Sequence, residues 1–252
     1  MPERALTPQA AARYNGRVQC SRLAVLPTYN ERENLPLIVE RLLALNADLD
    51  ILVVDDNSPD GTGDAADALA RVHPEVHVLH RANREGLGRA YVAGFSWALE
   101  REYQVIVQMD ADLSHNPKYI PAMLAQLKES DLVLGSRYVP GGGVEDWGLV
   151  RRWISRCGSW VARAMLGIPY RDLTGGFKAW RRETLERIDM SGVRSNGYCF
   201  QIEMTFRAHQ HGARITELPI IFPNRRFGTS KMRGRIVWEA IIRLWQLRSE
   251  RD

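Results

Sequence analysis

Short apolar runs at residues 23–26, 51–54, 76–79 and 105–109 recur through the first half of the chain. The first three are each followed by a stretch of helical period: residues 34–45, residues 65–70, and a stretch opened by Gly86-Leu-Gly88 that runs to about Arg101. Each run is short, largely apolar and bounded by polar residues, which is the pattern of a strand buried on both faces. Strands alternating with helices restrict the fold to an α/β, doubly wound, mostly parallel sheet with flanking helices. Pro27 is expected to end the first strand. Asn34 is placed to cap the first helix, with Pro36 tolerated in its first turn.

In open sheets of this kind ligands lie outside the carboxyl ends of the strands. Those ends carry Pro27-Thr-Tyr-Asn-Glu31, Asp55-Asp56, Asn83-Arg-Glu-Gly86 and Asp110-Ala-Asp112, four polar clusters on one rim. A further strand at 131–134 leads into Gly135-Ser-Arg137, and a glycine-rich connector at 141–143 then breaks the alternation. The second half is therefore built differently.

The Asp110-Ala-Asp112 cluster carries the chemistry. Residues two apart in an extended chain project to one side, so both carboxylates can face one ion, and Ala111 keeps bulk out of the space between them. Two carboxylates leave most of a coordination sphere open, which suits Mg2+ or Mn2+ shared with substrate phosphates. An isolated Asp-x-Asp at a strand end serves equally well as a helix cap. Tyr29, Glu31 and Asp56 together offer a ring face and acceptors for a nucleobase. The six histidines lack zinc-ligand spacing, and Gly86-Leu-Gly88 lacks the third glycine of a dinucleotide fingerprint, which disfavours hydride transfer.

At 252 residues, 45% hydrophobic and 25% charged, the chain can bury a sizeable core as one domain with a trailing appendage. Net charge is only +4, but arginine is dense at 151–163 and from Arg225 onward, a local basic surface suited to phosphate or an anionic membrane and not to nucleic acid. Cys20, Cys157 and Cys199 form neither a metal pattern nor an even disulfide set, so a reducing cytoplasm is expected. The first residues have no apolar targeting core, and no stretch reaches the roughly 18 apolar residues of a membrane span. Residues 147–166 read as a helix with Arg152, Arg156 and Arg163 on one stripe, Trp153 and Trp160 beside it, and Ile154, Cys157, Val161, Ala164 and Met165 on the apolar side. Such a helix lies in a membrane interface or packs on a core with its arginines in water. A second segment, 235–247, repeats the character with Trp238, Trp245, Ile241, Ile242 and Leu244.

Six motifs in order now identify a resemblance: Pro27-Thr-Tyr-Asn-Glu31, Val53-Val-Asp-Asp-Asn-Ser-Pro-Asp-Gly-Thr62, Asp110-Ala-Asp112, Gly135-Ser-Arg-Tyr138, Asp172-Leu-Thr-Gly-Gly-Phe177 and Arg225-Arg-Phe-Gly-Thr-Ser-Lys231. The chain resembles the inverting family-two glycosyltransferases of GT-A fold, and within them the dolichol-phosphate (polyprenol-phosphate) mannose synthases. The resemblance covers a catalytic domain at 22–232; residues 1–21, without a sustained period, read as a mobile leader, and 233–252 as a C-terminal amphipathic helix with charged tail. It implies transfer of mannose from GDP-mannose to a polyprenyl phosphate with inversion; with the basic, tryptophan-edged helices and the lack of a spanning segment, the expected place is the cytoplasmic face of a membrane, held peripherally, with room for a membrane-spanning partner protein. By position it assigns Pro27, Tyr29, Glu31, Val54 and Asp56 to guanosine, and Asp110, Ala111 and Asp112 to metal and diphosphate. It assigns Arg137, Arg151, Arg225 and Lys231 to phosphate groups. Ser114 stands where some relatives have Gln. Transfer from a UDP-sugar, and a non-catalytic nucleotide-binding membrane adaptor, are the alternatives. Asp172, Gln201 and Glu203 are candidates for sugar contact or for structural hydrogen bonds.

Overall fold

The computed structural model describes residues 21–223 and 243–249, together with the backbone of two dipeptide strands, Arg13–Tyr14 and Arg17–Val18, paired antiparallel. Seven strands form the central sheet: β1 (Arg22–Thr28), β2 (Asp50–Asp55), β3 (Val76–His80), β4 (Val105–Gln108), β5 (Leu132–Ser136), β6 (Lys178–Arg181) and β7 (Ile215–Pro219). Their spatial order is β7-β5-β6-β4-β1-β2-β3. All pairings are parallel except those of β6, which runs antiparallel to both β4 and β5. Six strands therefore point their carboxyl ends at one edge, and β6 begins there.

The helices are α1 (Leu35–Leu43), α2 (Thr62–Val72), α3 (Leu87–Glu100), α4 (Ile120–Gln126), α5 (Leu149–Leu166), α6 (Arg182–Glu186) and α7 (Gly197–Gln210). In α1 the buried residues Leu35, Ile38, Val39 and Leu42 follow the 3,4,7 spacing of a helix resting one stripe on a sheet. The apolar strands β1 and β2 are buried along nearly their whole length because alternate side chains enter separate cores. Ala24, Leu26, Ile51 and Val53 pack on the α1 side, while Leu23, Val25, Leu52 and Val54 pack beneath α3 with Tyr91 and Phe95. A third cluster joins Ala162 and Leu166 of α5 to Ile202 and Phe206 of α7 and to Leu244 and Leu247.

Pro27 does not end β1. Val25 accepts from Met109 on one side of the strand and Thr28 accepts from Asp56 on the other, so parity places the proline nitrogen on the β4 side, beyond the last paired residue Gln108. No ladder donor is lost there. Asn34 stands at the start of α1 as expected but makes no side-chain cap. Its Nδ2 donates to Glu31 Oε2 at 2.7 Å instead.

Helix α5 begins at Leu149, two residues after the expected Trp147, which is buried. The helix buries Ser159, Ala162 and Leu166 and packs Met165 against the third cluster, leaving Leu149, Val150, Trp153, Ile154 and Trp160 exposed. Of the second amphipathic segment, residues 243–249 are helical, with Leu244 and Leu247 inward and Trp245 outward. Trp238, Ile241 and Ile242 lie outside the described residues. No helix among the described residues is long and apolar enough to cross a membrane.

Candidate active site

The chain turns sharply as it leaves β4. Leu113 takes a left-handed conformation, φ 64°, which costs a branched residue about 1–2 kcal/mol. That turn lets Ser114 reach back to Asp112: its N–H donates to Oδ1 at 3.1 Å and its hydroxyl bonds the same atom. Asp110 is positioned from two other directions. The Tyr91 hydroxyl donates to its Oδ1 at 2.8 Å, and its own N–H donates to His115 Nδ1 at 2.8 Å. Tyr91 is fully buried on α3 and stacks on Phe200 of α7, with ring centroids 5.6 Å apart and planes within 1°. Burial first, then the Asp110 charge, raises the Tyr91 hydroxyl well above its ordinary value, so it remains a donor. His115 is held between Phe177 and Phe222.

These contacts fit a hard cation. They occupy one oxygen of Asp110 and leave its Oδ2 without a donor among the described residues, and no described cation pairs with Asp110. Among the described residues no group of three or more His, Cys, Asp or Glu could hold a metal, and an ion at the Asp110–Asp112 pair would draw its remaining ligands from other oxygens.

The second feature of the rim is Arg137, at the end of β5. Its Nε donates to Asp172 Oδ2 at 2.7 Å, its Nη2 to Asp172 Oδ1 at 2.7 Å and to Thr174 Oγ1 at 2.8 Å, and its backbone N–H to Asp172 Oδ2 at 2.9 Å. Burial opposes both charges, yet each sustains the other: Asp172 is lowered below the ordinary carboxylate range and Arg137 raised above its own. The two Nη1 protons keep no acceptor among the described residues, so a saturated pair still offers a fork edge to an anion. Rings of Tyr138, Trp147 and Phe222 surround this guanidinium. Arg151 lies 3.9 Å over Trp147, next to the same group.

On the β1–β2 side, Pro27 and Val54 are register partners and both buried. Tyr29 carries Arg84 on its ring at 3.8 Å. Asp56 is buried. It accepts from Gly86 N–H at 2.7 Å and Glu85 N–H at 3.2 Å, and pairs with Arg81, so it also organises the 81–86 loop. Glu31 is tied to the same rim, its N–H donating to Thr62 Oγ1 at 3.0 Å. Asn196, at the start of α7, accepts from Gly88 N–H at 2.7 Å and donates to Glu85 O at 2.9 Å, locking that loop to the opposite wall. Gly88 is required here, because a Cβ would lie 2.6 Å from the Ser195 carbonyl oxygen.

The fold thus brings Asp110, Asp112, Arg137, Tyr29, Glu31 and Asp56 to one edge, with Arg151 beside Trp147; Arg225 and Lys231 lie outside the described residues. Asp172 is a positioning partner of Arg137. Gln201 and Glu203 make internal hydrogen bonds: Gln201 accepts from Gln108, and Glu203 from Ser195, Arg207 and Arg243. Tyr91 and Asn196 were not expected from the sequence; Arg84 belongs to the expected 83–86 rim cluster, and His115 was expected to be structural or solvated. Tyr91 reads as one more apolar residue on the inner face of α3, and nothing local signals its hydroxyl.

Residues 23–189 match the profile of Glycosyl transferase family 2. The chain is 52% identical over 220 residues to an undecaprenyl-phosphate mannosyltransferase of Micrococcus luteus, covering 87% of this chain and 90% of that one. It is 49% identical over 234 residues to a polyprenol monophosphomannose synthase of Mycolicibacterium smegmatis, covering 91% and 88%. Among solved structures, glucosyl-3-phosphoglycerate synthase of Mycobacterium tuberculosis with UDP superposes with a TM-score of 0.62 at 19% identity, over 90% of this chain and 79% of that one. The same enzyme with Mn2+, UDP and glucosyl-3-phosphoglycerate gives 0.62 at 17% identity, over 97% and 86%. At that identity the likeness establishes the fold.

Proposed function

The chain belongs to glycosyl transferase family 2, and from that premise we propose that it transfers mannose from GDP-mannose to a polyprenyl phosphate, giving polyprenyl β-mannosyl phosphate and GDP. The observation that carries this is the near-complete alignment with two enzymes named for mannosyl transfer to such lipids. The geometry of the rim agrees with it.

A phosphate monoester has its second pKa near about 6, so at neutral pH the acceptor is already largely dianionic. Its oxygen attacks the anomeric carbon, the bond to the GDP oxygen breaks, and the stereocentre inverts; no proton need be removed. The protein's task is to hold two polyanions together and stabilise the departing diphosphate. Asp110 and Asp112 would hold Mg2+ or Mn2+, which when bound neutralises diphosphate charge. Tyr91, Ser114 and His115 keep those aspartates in place. Arg137, fixed by Asp172, presents Nη1 to phosphate, and Arg151 adds a second cation beside it. Arg225 and Lys231 are assigned to the same work by their motif. Tyr29, Glu31 and Asp56, with Pro27 and Val54 behind them, are assigned to guanosine.

The acceptor is insoluble, so the catalytic body must reach the headgroup plane at the cytoplasmic face. Helix α5, with exposed Trp153 and Trp160 among arginines, supports peripheral association, and a membrane-spanning partner protein is compatible with it.

The test is incubation with labelled GDP-mannose and a polyprenyl phosphate, then organic extraction. Label should enter the lipid phase, be abolished by EDTA, and fail to do so from UDP-glucose. Lipid label from UDP-glucose alone would overturn the donor assignment. No label from either sugar would overturn transfer.

A further inference from the structure

A cavity of about 350 Å³ lies on the α5 side of the molecule, lined by Tyr138, Arg156, Trp160, Arg163 and Arg171. Arg156 and Arg163 come from α5, and Arg171 from the segment that follows it. No carboxylate lines the cavity, and among the described residues none of these three guanidinium groups bonds an acceptor or pairs with an acid. Elsewhere the chain pairs arginines readily: Arg81, Arg137, Arg207 and Arg214 each hold a carboxylate. Three unneutralised cations around one cavity raise a local positive potential whose natural counterpart is an anion with several acceptor oxygens.

Two further observations identify the anion's carrier. Trp160 forms part of the wall yet is 66% exposed, and Trp153 and Ile154 extend the apolar surface along the same helix at 72% and 42%. The anion is therefore attached to an apolar body, with tryptophan at the boundary. Neither Asp110, Asp112 nor Arg137 lines the cavity, although its Tyr138 wall carries Arg137 on the ring at 5.1 Å, so the cavity borders the rim without including its carboxylates. We propose that this cavity is a docking site for the headgroup of an anionic phospholipid, which seats the catalytic body on the bilayer while the acceptor's phosphate goes to the rim. The proposal rests on the membrane association given above and names the lipid contact within it.

The experiment is sedimentation with phosphatidylcholine vesicles with and without phosphatidylglycerol, using the parent and Arg156→Gln, Arg163→Gln, Arg171→Gln and Arg152→Gln. Arg152 lies on the same helical stripe but outside the cavity, its Nη2 donating to the Val144 carbonyl at 2.9 Å. Each of the three cavity variants should lose about fivefold in affinity for phosphatidylglycerol vesicles, the equivalent of about 1 kcal/mol per arginine. Arg152→Gln should lose less than any of them, and turnover of a short, water-soluble prenyl phosphate should stay at the parent level in all four. Equal loss at all four positions would mean a diffuse basic face, and no loss at Arg171→Gln would remove the cavity from docking; either overturns the proposal. Lost turnover of the soluble acceptor with vesicle binding intact would assign the cavity to the acceptor's phosphate and overturn it too. If the parent itself ignores phosphatidylglycerol, membrane association falls together with the docking site, whereas mannosyl transfer is judged separately by the soluble assay.

Discussion

Replacing Asp172 by Ala removes the only carboxylate among the described residues that pairs with the Arg137 guanidinium; Asp172 is 1% exposed and Arg137 6%. Three charge-assisted bonds disappear at once, two from the side chain at 2.7 Å and one from the backbone at 2.9 Å. Two unit charges about 4 Å apart attract by about 4 kcal/mol at an effective dielectric constant near 20. Breaking a buried pair from one side costs about 3–5 kcal/mol, because the surviving charge keeps its desolvation penalty. A domain of this kind is stable by only about 5–15 kcal/mol, so a third or more of its stability is at stake. In urea the midpoint should fall by the equivalent of about 3–5 kcal/mol at unchanged slope, and the melting temperature by roughly 10 °C. Arg137→Met in the Asp172→Ala background removes the stranded cation and should restore part of the loss, giving a coupling energy above about 2 kcal/mol in a double-mutant cycle. A single variant within about 1 kcal/mol of the parent, or strictly additive effects, would refute the account of Arg137 as a charge held by its partner.

Asp112→Asn, which takes a formal charge from the metal site, should abolish nearly all transfer with an unchanged melting temperature, and EDTA should reproduce it; an active variant would remove the motif from the mechanism. Tyr91→Phe should weaken Mn2+ binding to the GDP-loaded protein by roughly tenfold or more, read by electron paramagnetic resonance, as loss of an outer-sphere partner does; equal affinity would show that the 2.8 Å bond to Asp110 does not orient the carboxylate. Lys178 is fully buried, and burial lowers its ammonium to about 7. Between that value and its unfolded value near 10.5 the unfolded chain holds a proton the folded chain lacks, so stability from this group rises with pH by about 1.4 kcal/mol per unit. Lys178→Met should flatten that rise in urea titrations from pH 7 to about pH 9, and parallel slopes would contradict the burial argument. Gly88→Ala places a methyl 2.6 Å from the Ser195 oxygen and should cost about 1–3 kcal/mol in thermal stability; a neutral substitution would show the α3–α7 contact to be compliant.

The parallel half of the sheet was legible because β1, β2 and β4 are apolar on both faces and the polar clusters beyond them have no other role in such strands. The carboxylates and Arg137 were legible for the same reason, standing at strand ends. What holds them was not. Tyr91 and Asp110 are 19 residues apart, and Arg137 and Asp172 are 35 apart, so their pairing depends on a chain path that no local pattern encodes. Strand β6 was hidden because it opens on a lysine. Lys178 is tolerated in the sheet interior only because Gln201 O, at 2.6 Å, and Thr205 Oγ1, at 2.9 Å, accept from it, and both belong to a helix some 20 residues later. Pro27 misled in the other direction: a strand breaker by type, it sits at the one parity where its missing donor has no partner to lose.

The position of β6 also dictates an order of assembly. Strands β4 and β5 are sequential, yet neither touches the other in the sheet; β6 lies between them, paired with Ile106 through Trp180 on one side and with Leu132 through the same residue on the other. Until residues 178–181 arrive, both strands are open edges, and the whole 137–177 excursion, α5 included, must be made before the gap can close. A nascent chain that stalls short of Lys178 therefore leaves one edge of β4 and both edges of β5 unpaired, and the segment bearing the exposed tryptophans is stitched at both ends into buried strands. Helix α5 is thus the last of the described helices to emerge before β6 joins β4 to β5.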